Sequence, residues 1–297
     1  MNVLCVMHRA FCFQQCSGFE HAHKQQMPIG LRHNSVAMST ANHLNASAVA
    51  MSRTLNKVSS GTRIDQIGED AAGAAVSIKL SVRAQSSSQA VRNANDAVSL
   101  LQTSQAALNE SGNMLIRLRE LATQSASETL HRDERKYIVN EAKQIESEMA
   151  RLALSAEFNG LAIGSGNSYT AQVGTDGDEN HQISITAADI KTIHTTISTL
   201  NLSSGELAQL SLRRIDRATD IMNKQQAKLG AVHNRLLNAI SNEQASSFNH
   251  LAAASRITDA DMARETSTMT ALQVKHAAGT AAMGQANSIS QSILSLI

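Results

Sequence analysis

The chain has 297 residues, 42% of them hydrophobic, enough for one large domain or two small ones. Aromatic residues are only 2% and tryptophan is absent, so large aromatic side chains cannot dominate a core. The net charge of +1 gives no electrostatic case for nucleic acid or an acidic membrane surface, and no apolar run reaches the length of a membrane span.

Residues 1–26 differ in composition from the rest of the chain. All three cysteines (Cys5, Cys12 and Cys16) and three of the five phenylalanines lie there, and the only proline, Pro28, comes just after. His8 and Arg9 interrupt the apolar run, which argues against a secretory signal. The cysteines have no CxxC spacing and His21 and His23 are weak ligand candidates, so no metal is expected. We read residues 1–26 as a spurious or disordered extension, with translation starting at Met27 or Met38 in place of Met1.

Residues 27–70 hold the first helix and a linker. Leu44, Ala48, Met51, Leu55 and Val58 follow at spacings of four and three, a narrow helical seam. Gly61 is a natural helix stop, and Thr62 to Asp70 form the linker. Ala71 lies near a new helix start, with Gly73 weakening it.

Residues 71–157 form the first half of a helical core. Between Ala90 and Ala126, the positions Val91, Ala94, Val98, Leu101, Gln105, Leu108, Gly112 and Leu115 make a heptad seam. A helix over that stretch would be roughly 55 Å long. It cannot bury its own stripe and needs partner helices. The helix is expected to end near Ser127. Asp133 is the candidate N-cap of a following helix to about Ser155, carrying Ile138, Ala142, Ile145, Met149 and Leu152. That helix would fold back as an antiparallel hairpin.

At Phe158 the pattern changes. Residues 158–205 are glycine-rich, with Tyr169, Ala171 and Val173 alternating, then Ile183 and Ile185. The intervening GTDGDEN is turn chemistry, so a β-hairpin is predicted. Asp176, Asp178 and Glu179 resemble part of a calcium loop, but the closing glutamate is missing and a solvated turn is expected. A polar Ser/Thr-rich passage continues to about Ser204.

Residues 206–255 return to helix, with Ile215, Ala218, Met222, Gln225, Leu229, Val232, Leu236 and Ala239 as a second long seam. Residues 256–297 carry a C-terminal helix seamed by Ala282, Ala286, Ile289, Ile293 and Leu296. The predicted fold is mainly α: a long antiparallel helical bundle or coiled coil with a small β-hairpin region, its N- and C-terminal helices paired. The terminal seams, rich in alanine and flanked by Ser, Asn and Gln, are expected to order only on assembly.

No HExxH, GxSxG or phosphate-cradling glycine loop is present. His233 and His276 are lone helical histidines. Glu120 and Glu146 lie beside basic residues as solvated ion pairs. No enzyme activity and no cofactor is expected.

The motifs LNKVSSGTRIDQIGEDAAG, AVRNANDAVSLLQTSQAALNE, LIRLRELATQSA and EFNG, followed by KLGAVHNRL, SRITDADMARETS and QANSISQSILSLI, resemble those of bacterial flagellins. The similarity covers roughly Leu31 to Ile163 and Leu207 to Leu296. It implies a helical homopolymer serving motility, in which terminal helices form an inner tube and long helices an outer one. It also implies type III export without a cleaved signal and an extracellular location in the filament. Implied partners are other copies of the chain, hook-associated proteins, a filament cap and a flagellin secretion chaperone. Only about forty residues separate the two halves, so the large variable outer domains of many flagellins are missing. The alternative within this resemblance is a flagellin-like hook–filament junction protein. The resemblance further implies a vertebrate innate immune receptor contact at Arg117, Leu121 and Glu141. The assembly candidates are the seam positions Leu44, Met51, Leu55, Val98, Leu101, Leu108, Leu115, Leu229, Val232, Leu236, Ile289, Ile293 and Leu296.

Overall fold

A computed structural model describes residues 34–294. The expectations for Cys5, Cys12, Cys16, His21, His23 and Leu296 lie outside the described residues, as does the side chain of Ile293. The chain divides into two compact units, one from the terminal helices and one spanning Ser60–Asp261.

The terminal unit pairs α1 (Ser35–Ser60) with α6 (Met262–Leu294). Asn34 Nδ2 donates to Ala286 O at 3.1 Å, and Leu44 packs beside Gly279. Early residues of α1 meet late residues of α6, so the helices run antiparallel.

The middle unit is framed by α2 (Ala71–Ser125) and α5 (Gly205–Thr258), of 55 and 54 residues. At about 1.5 Å per residue each is roughly 80 Å long, well beyond the heptad stretch Ala90–Ala126. Asp70 begins α2: its Oδ1 accepts from Gly73 N at 2.8 Å. A Cβ on Gly73 would lie 2.4 Å from that carboxylate, so the glycine that weakens the helix by propensity makes room for its cap. Ser204 caps α5 by accepting from Leu207 N. Asn109 pairs with Gln226, Arg119 with Asp216 and Ala84 with Ser247, so α2 and α5 are antiparallel along their length.

Helix α3 (Arg132–Ser155) folds back against α2. Its N-cap is His131 and not Asp133, which lies one residue inside the helix. His131 Nδ1 accepts from Asp133 N at 3.4 Å, and Glu134 Oε2 accepts from His131 N at 3.0 Å. The reciprocal pair needs a glutamate three residues after the cap, and only position 131 has one.

Two small antiparallel sheets come next. Strands β1 (Glu157–Phe158) and β2 (Leu161–Ala162) flank Asn159 and Gly160, both at positive φ (49° and 76°). An Asn-Gly pair suits that two-residue turn. Strands β3 (Ser168–Gln172) and β4 (Gln182–Thr186) form the predicted hairpin, with Tyr169 opposite Ile185 and Ala171 opposite Ile183. The passage read as polar and irregular contains a helix, α4 (Ile190–Ile197), capped by Asp189 Oδ1 from Thr192 N at 2.9 Å. Ile190, Ile193 and Ile197 are its fully buried face. The break between α5 and α6 is short, residues 259–261, and α6 begins at Met262.

Candidate functional site

The long seams are the first candidate surface. Leu101, Leu108 and Leu115 of α2 and Leu229 and Leu236 of α5 are buried, while Val98 and Val232 lie half-buried at the margin. Gly112 opens the seam: a Cβ there would lie 2.9 Å from Met222 Sδ. Toward the start of α2 the buried residues are small, Ala74, Ser77, Ala84, Ser87 and Ala90. Toward its end they are Leu115, Leu118 and Leu121, where α3 packs against α2. The seam is therefore internal, and Leu101, Leu108, Leu115, Leu229 and Leu236 hold the unit together.

The terminal pair is different. The shielded side of α1 runs through Ala37, Thr40, Leu44, Ser47, Met51 and Thr54, spaced three and four. On α6 it runs through Met269, Leu272, His276, Gly279, Met283 and Ala286. Leu44 and Met51 thus fall on the shared stripe. Leu55 and Ile289 do not: they are 54% and 49% exposed, on the outer faces with Val49 and Val274. The partner helix selects the stripe, and two helices shield only one side of each other.

Arg117, Leu121 and Glu141 are brought partly together. Arg117 Nε and Nη2 donate to Glu141 Oε1 at 2.8 and 2.6 Å, and Nη1 donates to Glu120 Oε2 at 2.9 Å. These hydrogen bonds, Glu141 first and Glu120 next, hold the guanidinium pKa above its ordinary value. The ion pair crosses from α2 to α3 on an exposed face. Leu121 packs inward at 2% exposure and is not on that face.

A cleft of about 710 Å³ between α3, α4 and the loop before α5 is lined by Val139, Lys143, Glu146, His194 and Leu200, among others. Among the described residues no group of three or more His, Cys, Asp and Glu could hold a metal ion, and no helix is long and apolar enough to cross a membrane. Sequence reasoning missed Gly164, whose missing side chain lets Ala153 O approach: a Cβ would lie 2.4 Å from it. No periodic signal marks such a position.

A family model for the bacterial flagellin N-terminal helical region matches residues 31–168, and one for the C-terminal helical region matches residues 212–297. Flagellin of Halalkalibacterium halodurans is 33% identical over 269 residues, covering 90% of this chain and 99% of the relative. A flagellar filament 33 kDa core protein of Treponema phagedenis is 34% identical over 284 residues, with the same coverage. The crystal structure of Bacillus cereus flagellin, 29% identical, covers 51% of this chain and 88% of its own at a TM-score of 0.46.

Proposed function

The chain belongs to the bacterial flagellin family, a structural and non-enzymatic subunit of the flagellar filament, and from that premise we propose that it is exported unfolded and orders its terminal helices only on assembly. The supporting observation is the terminal unit. Among its described side chains only Thr54 and Ala286 are buried. Ordering a residue costs about 1–2 kcal/mol of backbone entropy. Helices of 26 and 33 residues with so little shielded surface need neighbours to offset that cost. Neighbouring copies would cover Leu55, Val49, Val274 and Ile289.

In this reading the type III apparatus exports the chain into the extracellular filament with help from a secretion chaperone, and hook-associated proteins and the filament cap bound the polymer. The test is seeded elongation from short flagellar fragments, watched by electron microscopy, with amide exchange on the soluble chain and the polymer. Long uniform filaments, with α1 and α6 protected only in the polymer, are the expected result. Absence of elongation by intact monomer supports the junction role. Protection of α1 and α6 already in the monomer removes folding on assembly.

A second reading rests on the exposed Arg117–Glu141 pair. A vertebrate innate immune receptor would read this pair on the free chain, with Leu121 supporting the face from below. A receptor reporter assay with monomer and with Arg117→Ala tests it. No response to the monomer removes the reading.

A further inference from the structure

We propose that Arg63 fastens the two connectors of the middle unit into one joint, so that a change in either connector passes to the other through paired backbone. The connectors are residues 61–70, between α1 and α2, and residues 259–261, between α5 and α6. Thr62 and Asp259 form an antiparallel bridge. Arg63 N donates to Thr258 O at 2.6 Å, and Ala260 N donates to Gly61 O at 2.9 Å. These bonds flank the bridged pair, so Thr62 and Asp259 face each other as a non-hydrogen-bonded pair.

Two backbone bonds between water-exposed connectors would open easily. The Arg63 side chain reinforces them. Its Nε and Nη2 donate to Ile257 O at 3.1 and 2.7 Å. Ile257 lies in the last turn of α5, where carbonyls lack helical partners and carry the negative end of the helix dipole. A forked, permanently charged guanidinium suits that position. Its Nη2 also lies 3.7 Å from Asp70 Oδ2, and Asp70 caps α2. One side chain therefore reaches the end of one long helix and the cap of the other.

Gly61 completes the joint. Its φ of +73° turns the chain into the bridge, and no atom would meet an added Cβ, so backbone conformation is the reason for glycine. Arg135 offers a contrast. It donates to Ser125 O and Ser127 O at the end of α2, but from only 10 and 8 residues away. Arg63 spans 194 residues. It joins segments that nothing in chain order would hold together.

The proposal stands apart from the export and folding reading and is tested on soluble full-length chain, with Cys5, Cys12 and Cys16 changed to serine. The readout is amide exchange at Ala260, compared with Leu108 and Leu229. Arg63→Ala is expected to speed exchange at Ala260 by about tenfold or more while leaving Leu108 and Leu229 unchanged; Arg63→Lys gives a smaller effect. Gly61→Ala, which alters only the first connector, should also speed exchange at Ala260. A disulfide from Thr62→Cys with Asp259→Cys should restore protection in the Arg63→Ala background, because facing pairs of this kind sit close enough to bridge. Unchanged Ala260 exchange in Arg63→Ala or in Gly61→Ala overturns the proposal. So does an equal rise at Leu108 and Leu229, which would mean general destabilisation. Failure of the formed disulfide to restore protection overturns it as well.

Discussion

Leu108 of α2 and Leu44 of α1 sit at comparable places on heptad stripes, yet Leu108 is fully buried and Leu44 only half-buried. The difference lies in the number of neighbours. The middle unit sets α3, α4 and the β-hairpin around α2 and α5, so its seam leucines are covered from several sides. The terminal pair has two helices, and each can cover only one side of the other. Spacing offers candidate stripes and the partner helix selects among them; the number of partners decides whether the side chains leave water. The first arrangement closes the seam of the middle unit; the second leaves apolar side chains such as Leu55 and Ile289 exposed.

Alanine at the two leucines gives the largest expected contrast. Leu108→Ala should lower the unfolding free energy by about 2–5 kcal/mol, through lost burial and the cavity left behind. Leu44→Ala in the monomer should cost about 1 kcal/mol or less, because much of the side chain is already wet. Urea unfolding of the two variants measures both. Equal losses would erase the distinction between the units. Seeded elongation should show the opposite order, slowed more by Leu44→Ala than by Leu108→Ala at a temperature where both are folded.

Glycine substitutions sharpen the contrast at intermediate size. In Gly164→Ala the new Cβ would sit 2.4 Å from Ala153 O, a backbone atom that cannot swing aside. A loss of about 1–3 kcal/mol is expected by thermal or urea unfolding. In Gly279→Ala the nearest atoms are Leu44 Cγ and Cδ2, at 3.2 and 3.3 Å. That side chain can rotate away, so the monomer midpoint should not move while elongation slows. A monomer loss as large as that of Gly164→Ala would show that the terminal pair is already a packed core.

The long helices were legible because Leu101, Leu108, Leu115, Leu229 and Leu236 repeat at heptad spacing and nothing interrupts them. The β3–β4 hairpin was legible from alternation around a turn-rich segment. The failures have physical causes. Helix α4 hides Ile190, Ile193 and Ile197 among threonines, and its composition outweighed its spacing. The Asn159-Gly160 turn carried a strong signal that the short flanking strands obscured. His131 caps α3 because Glu134 can reach back to it, a pairing that residue preference for the cap position alone does not show. On α6, alanine, glycine and serine lie on every side, so the stripe could not be chosen without knowing that Leu44 meets Gly279. The Arg63 joint depends on two segments far apart in the chain, and periodicity carries no information about such meetings.

The smallest expected effect comes from the solvent face of the middle unit. Arg151 Nε donates to Glu148 Oε2 at 2.8 Å, and its Nη2 donates to Glu148 Oε1. That hydrogen bonding holds the Glu148 carboxyl below its ordinary pKa and outweighs the opposing effect of burial. A carboxylate depressed in the folded state contributes stability above its unfolded pKa and loses it as pH falls through the folded value. Arg151 is itself raised above its ordinary value and remains charged across that window, so the acid-side dependence belongs to Glu148. Carbon NMR titration of the Glu148 carboxyl should therefore give a midpoint below that of an ordinary glutamate, and Arg151→Ala should return it to the ordinary range. Because the pair lies within one turn of α3 and is open to water, the variant should leave both the monomer midpoint near neutral pH and seeded elongation unchanged. Slowed elongation in Arg151→Ala would place this face of α3 in an interface between copies, and the middle unit would then contribute exposed polar surface to assembly alongside the apolar faces of α1 and α6.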